Sequence, residues 1–334
     1  MHTGGEPLRI IRSGYPDLIG STVLEKVEYA KAHLDHYRKF LMNEPRGHKD
    51  MYGAFLMRKT SEDKESTQKL ENEFEVVFLN NEGYSSMCGH AIIALGRYVI
   101  DHGFAKPTSP ETEIIFHAPC GRVRAFTEYS NGTTGSVRFE SVPAFVYKLD
   151  ATINVPNIGE VVIDIAFGGA FYVIVSDKDL SIDLKTTPLS EIIRIGAAIT
   201  DIVKKNIPIV HPESKELSFL YGTIITDGND RYSDGPTTNV CIFADKQVDR
   251  SPTGSGVTAR IALQFHKGLM NLNEEKEFRS ILGSSFKGKA ARKTKRGSFC
   301  AVVVEVSGMA HHTGDHTFYL EESDPFNEGF QLSR

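Results

Sequence analysis

A cysteine and a histidine two residues apart, Cys88 and His90 in the stretch MCGHA, stand directly before an apolar run of helical periodicity. A helix start leaves backbone N–H groups without intrahelical acceptors and carries the positive end of the dipole, so it suits a carboxylate and favours a thiolate. Gly89 between them lets a ligand approach the backbone, and His90 offers a donor or an acceptor within the first turn. In the second half of the chain, DRSPTGSG places Thr253 ahead of Gly254 and Ser255 at the opening of another apolar run. CGHAIIALGRYVIDHG (88–103) and TGSGVTARIALQFHKG (253–268) can be laid over one another. Each begins with a proton-bearing side chain before a glycine and ends at a glycine 15 positions on. Both read as helices of about four turns, opened at a loop and stopped by a C-terminal glycine. The repeat predicts a duplicated architecture with one such helix in each half.

The two units differ where chemistry would happen. Two thiols on opposite sides of a carbon acid can take a proton from one face and return one to the other, which inverts the centre. A threonine hydroxyl is far too weak an acid for that work, so Cys88 paired with Thr253 predicts proton removal at one face only. Asp249, four residues before Thr253, is a carboxylate that suits a cationic amine, although a turn or helix-dipole role is as common for such a residue. Arg46, His48 and Asp50 in NEPRGHKDMYGA gather at a turn and read as a surface loop or a lid. Gly168 and Gly169 in AFGGAFYVIV predict a bulge or a close backbone approach.

Other constellations fail. No phosphate-binding glycine loop is present, so nucleotide cofactors have no visible cradle. The cluster HHTGDH from His311 matches no zinc spacing, so no metal is expected. Residues two apart across a helix start rarely form a nucleophile–base pair, and no third orienting group stands beside Cys88 and His90, which weakens a thiol hydrolase reading.

The elements that must hold these residues are mostly strands: FEVVFLN from Phe74, VVIDIAF from Val161, FYVIVS from Phe171 and FCAVVVEV from Phe299. Helical periodicity appears from Thr22 to Met42, after Cys88, from Pro188 to Asn206 and after Thr253. This is a mixed α/β (α+β) pattern without the βαβ alternation of a doubly wound sheet. Prolines and a change of pattern put a boundary near residues 145–160, giving lobes 1–150 and 151–309. The basic run KGKAARKTKRG (287–297) reads as a solvated loop or hairpin.

With 334 residues, 40% hydrophobic and 24% charged, the chain has the balance of a soluble globular protein large enough for two domains. A net charge of −5 speaks against nucleic acid or an anionic membrane as partner and for a small metabolite. Four scattered cysteines form no disulfide framework, and the opening residues lack the apolar run of an export signal, so a cytoplasmic protein is expected. A homodimer is the default assembly.

Together, MCGHA, DRSPTGSG, HTGGEPLR, NEPRGHKDMYGA and GGAFYVIV resemble the proline racemase family over nearly the whole chain, several motifs standing in the family's order. The resemblance implies the diaminopimelate epimerase-like fold: two pseudo-symmetric lobes, each with strands round a central helix, the active site between them, and residues 310–334 completing the first lobe. It implies chemistry without metal or organic cofactor, with Cys88 as proton acceptor, Gly89 and His90 touching substrate, Asp249 near its amine, and Gly254 and Ser255 offering polar and backbone groups. Family racemases and epimerases carry cysteine in both motifs, and this chain departs at Thr253. Threonine there is the pattern of members that dehydrate trans-3-hydroxy-L-proline, so that substrate is implied. A proline racemase, a 4-hydroxyproline epimerase, or an amino-acid-binding protein without catalysis are the alternatives.

Overall fold

The computed structural model describes residues 1–60, 69–231, 235–244 and 246–332. The chain divides into two compact units, Met1–Val137 together with Met309–Arg334, and Arg138–Gly308.

In the first unit the run after Thr22 forms α1 (Val23–Tyr29), a π-helical turn (Ala30–Leu34) and α2 (Asp35–Met42). Thr22 opens it with a capping box: its hydroxyl accepts from the Glu25 N–H at 3.2 Å while the Glu25 carboxylate accepts from the Thr22 N–H at 3.2 Å. Val23, Val27, Ala30 and Leu34 turn inward onto Phe55, Val77 and Leu79. Those three residues lie on the antiparallel strands Tyr52–Thr60 and Lys69–Asn80. Arg9–Ile11 runs parallel to the first of these and Glu111–Ala118 parallel to the second, with Gly121–Ser130 paired back on Glu111–Ala118. Against Gly121–Ser130 packs α3 (Gly89–Asp101), buried at every residue from Gly89 to Ile100 except Arg97. A small sheet, with His2–Thr3 between Glu6–Pro7 and Ala310–His311, also rests on α3 and ties the last segment to the first residues. Arg46 strengthens that tie by pairing with Asp324 and donating to the Phe326 carbonyl at 3.2 Å.

The second unit is a closed ring of strands. In order they are Ala144–Val155, Gly159–Phe167, Phe171–Ser176, Leu220–Thr226, Thr237–Phe243, Lys276–Ser280, Ser285–Arg296 and Phe299–Gly308. Ala144 and Phe145 pair with Val302 and Ala301 and shut the ring. Its two parallel pairings are bridged by helices: α4 (Leu189–Asn206) links Phe171–Ser176 to Leu220–Thr226, and α5 (Gly254–His266) lies between Thr237–Phe243 and Lys276–Ser280 in the chain. Helix α4 carries one apolar stripe, Ile192, Ile195, Ile199 and Val203. Helix α5 is buried at every residue from Gly254 to Gln264 and packs on five strands of the ring, as a core helix rather than a surface amphipath.

Pro156, taken for part of a linker, marks a turn instead. Pro156 and Asn157 join two ring strands into a hairpin, and the chain passes from one unit to the other at residue 138. The basic run 287–297 lies in the strand Ser285–Arg296 and its turn, where Lys289 and Arg292 reach Glu305 and Glu140 at 2.9 and 3.1 Å.

Candidate active site

The helices α3 and α5 have the same length and the same ending. Gly103 (φ 68°) donates to the Ile100 carbonyl and Phe104 to that of Val99, while Gly268 (φ 71°) donates to Phe265 and Leu269 to Gln264. These are paired Schellman motifs, and the positive φ is why glycine stands at both ends.

At the start of α3, Cys88 is the N-cap in extended conformation (φ −146°, ψ 103°), and its side chain caps nothing. The residue is buried, with 5% of its surface accessible. The Cys88 Sγ lies 3.1 Å from His90 Nδ1, so the pair discounted from its spacing does come within hydrogen-bond reach. Which of the two donates depends on the imidazole tautomer. His90 is held on both sides. The ring of Tyr52 meets it edge-on at 4.9 Å, and Thr3 Oγ1 donates to its carbonyl at 2.9 Å. Gly89, buried beside them, completes a first turn whose N–H groups have no intrahelical acceptors.

At the start of α5, Thr253 is the N-cap in left-handed conformation (φ 68°, ψ 89°). For a β-branched residue such backbone costs about 1–3 kcal/mol. Its Oγ1 is buried and has no hydrogen-bond partner among the described residues, a second cost of about 1–3 kcal/mol at the same position. The surrounding structure imposes both. The Thr253 N–H donates to Ser251 Oγ at 3.1 Å, the Ser251 N–H donates to Asp249 Oδ1 at 2.7 Å, and Asn239 Nδ2 donates to the Pro252 carbonyl at 3.2 Å. Asn239 is fixed in turn by Arg260, a fully buried cation on α5. Arg260 donates to Asn239 Oδ1 at 2.8 Å and Thr237 Oγ1 at 2.7 Å, pairs with Asp230 at 3.4 Å and lies over the Phe278 ring. Asp249 is buried at the end of a short strand opposite Cys241.

Gly168 proves to be a close approach. A Cβ there would fall 2.2 Å from the Ser255 carbonyl oxygen and 2.5 Å from the Ala259 nitrogen, so only glycine lets this turn lie against α5. The fully buried Tyr172 bonds Ser255 Oγ at 2.7 Å. Burial, and after it the neighbouring Cys241, Tyr221 and Asp249, push its phenol well above the usual range.

Cys88, Gly89 and His90 thus gather at one helix start, and Asp249, Thr253, Gly254 and Ser255 at the other. Arg46 and His48, in the first unit, have partners of their own. Arg46 is engaged by Asp324, and the carbonyl of His48 accepts from Asn81 Nδ2 at 3.1 Å. The histidines of HHTGDH bind the tail: His311 stacks on His2 at 5.1 Å and His312 bonds Asp101 at 2.8 Å. Among the described residues no group of three or more His, Cys, Asp or Glu is arranged to hold a metal ion. Tyr52, Tyr172, Asn239 and Arg260 escape sequence reasoning. The signal available for Arg260 and Tyr172 is a polar group within otherwise apolar runs, VTARIAL and FYVIV.

A family model described as proline racemase matches residues 1–331. A trans-L-3-hydroxyproline dehydratase of Saccoglossus kowalevskii is 51% identical over 99% of this chain and 100% of its own length. The trans-3-hydroxy-L-proline dehydratase of Homo sapiens is 52% identical over 99% of this chain and 93% of its own. Among solved structures, a hydroxyproline epimerase from Agrobacterium vitis with bound trans-4-OH-L-proline superposes with a TM-score of 0.89 at 26% identity, covering 99% of this chain and 93% of that one. The fold is the epimerase-like one expected from the sequence motifs.

Proposed function

The chain belongs to the proline racemase family, and from that premise we propose that it dehydrates trans-3-hydroxy-L-proline to 1-pyrroline-2-carboxylate, with Cys88 as its base. In this substrate the 3-hydroxyl lies opposite the carboxylate, so it shares a ring face with the hydrogen on the carboxylate-bearing carbon. One thiolate on that face suffices. Cys88 removes the α-proton, the electron pair forms the ring double bond as the C–O bond breaks, and the departing hydroxyl takes the proton and leaves as water. The enamine product then tautomerises to the cyclic imine. The N–H groups at the helix starts receive the carboxylate and stabilise the charge that builds up beside it. Asp249, with one oxygen engaged by the Ser251 N–H, turns the other to the ring amine. Gly89 and His90 contact the substrate, His90 steadying the sulfur, and Gly254 and Ser255 contribute backbone and hydroxyl groups. Thr253 stands where racemases of the family carry a second thiol.

The observation that supports the reading is that each unit carries a helix start of the same build, one with a thiol beside an imidazole and the other with a non-acidic hydroxyl. The enzyme works without metal or organic cofactor, in the cytoplasm, as a homodimer. Its thiols support a reducing compartment, since all four cysteines are outside disulfides. Among the described residues no helix is long and apolar enough to cross a membrane. The test is an assay of purified protein on trans-3-hydroxy-L-proline, L-proline and trans-4-hydroxy-L-proline. Pyrroline formation from the first alone is expected. Inversion of the other two without loss of water would replace dehydration by racemisation or epimerisation, and ligand binding with no turnover of any would leave a binding protein.

A further inference from the structure

The mechanism leaves one buried polar contact at the start of α5 unused: the 2.7 Å bond between Tyr172 and Ser255. Tyr172 comes from the ring strand Phe171–Ser176, is inaccessible to solvent, and has its ring fixed edge-on by Tyr221 at 5.7 Å. Ser255 is the second residue of α5, two after Thr253, and forms no other side-chain hydrogen bond among the described residues. A phenol is a stronger donor than an aliphatic hydroxyl, and the Tyr172 phenol, pushed well up by burial, keeps its proton throughout the working range. The 2.7 Å contact is compatible with either donor; with the phenol donating, the serine oxygen accepts. In that arrangement the serine's own proton is turned away from Tyr172 and meets no side-chain acceptor among the described residues.

We propose that Tyr172 is a positioning residue that, by donating to Ser255, aims the Ser255 hydroxyl proton at the carboxylate received at the start of α5. The inference rests on the proposed function for the identity of that carboxylate. Without the phenol O–H, the Ser255 hydroxyl rotates among its staggered positions and its proton is no longer held toward the ligand. A neutral hydroxyl then adds one directed donor to the N–H groups of the helix, and Tyr172 acts without touching the substrate.

Calorimetric titration with pyrrole-2-carboxylate, a flat ring acid that cannot be dehydrated, tests this on the full chain. Tyr172→Phe keeps the ring and removes only the hydroxyl; Ser255→Ala removes the directed donor. Each is expected to weaken binding about five- to tenfold, and the double variant to bind like Ser255→Ala alone, because Tyr172 has nothing to orient once the serine is gone. In turnover of trans-3-hydroxy-L-proline, Tyr172→Phe should raise KM by the same factor with kcat within twofold. A purely structural tyrosine would give losses that add in the double variant, and that result overturns the proposal. So does binding by Tyr172→Phe within twofold of wild type, or no binding by wild type. If wild type binds the analogue but leaves trans-3-hydroxy-L-proline unchanged, the proposed function falls while the titrations still decide the role of Tyr172.

Discussion

The starts of α3 and α5 are built on one plan and held under different tension. Cys88 enters its helix through an ordinary extended conformation, with its sulfur 3.1 Å from an imidazole. Thr253 enters through a left-handed one, with its hydroxyl buried and unbonded among the described residues. The support differs accordingly. Behind His90 stand a tyrosine edge and one threonine hydrogen bond, whereas behind Thr253 stands a relay from Arg260 through Asn239 to the Pro252 carbonyl. Left-handed backbone at a β-branched residue and a buried, unbonded hydroxyl are costs that proteins commonly confine to functional sites.

The largest effect is expected at the thiol. Cys88→Ser should lower turnover of trans-3-hydroxy-L-proline by about 10²–10⁴-fold, the usual share of a general base. Equal turnover in a direct assay of pyrroline formation would transfer the base to another residue and dissolve the contrast between the two helix starts. Next comes Thr253→Cys, which makes them chemically alike. Solvent deuterium should then enter the α-carbon of L-proline faster than in wild type, and mass spectrometry showing no gain would refute a second proton-transfer face at this position.

Two glycines sharpen the comparison through packing. At Gly168 a new Cβ meets backbone atoms of α5, which cannot step aside, so Gly168→Ala should cost about 3 kcal/mol or more in chemical denaturation. At Gly96 on α3 it meets a Val137 methyl at 2.7 Å, a side-chain end that can rotate, and about 1 kcal/mol is expected. Equal costs would mean that α5 is no more tightly backed than α3.

The two units also separate by pH. Burial holds His211, in the second unit, down at about 4, with Arg296 acting in the same direction. The unfolded chain binds the extra proton between pH 6.5 and 4, so stability is full above pH 6.5 and falls by about 3 kcal/mol on acidification to pH 4. In the first unit the Arg46 guanidinium holds Asp324 below its ordinary 3.8, so that contact persists until the pH drops beneath the usual carboxylate range. Hydrogen exchange followed by mass spectrometry from pH 7 to 4 should show the second unit loosening first, and simultaneous loosening would contradict the assignment.

Much of this was legible in the sequence because it is local. The paired helices, their glycine stops and the contrast of Cys88 with Thr253 are set by residues within one turn of each other, and Gly168 announced a close approach. The remainder depends on contacts remote along the chain. Tyr172 reaches Ser255 across 83 residues and Arg260 reaches Asn239 across 21, through strand pairings that no short motif encodes. Pro156 misled because a hairpin turn and a linker use the same residues. The approach of Cys88 to His90 was hidden by a rule of thumb about spacing that ignores the freedom of an extended N-cap.

The strand Ala310–His311 pairs with His2–Thr3. As the polypeptide emerges from a ribosome, the ring around α5 can close before the earlier unit receives its final strand. A chain stopped after Gly308 would release a finished second half attached to a first half with an open edge, so the part that is synthesised first is the last to mature.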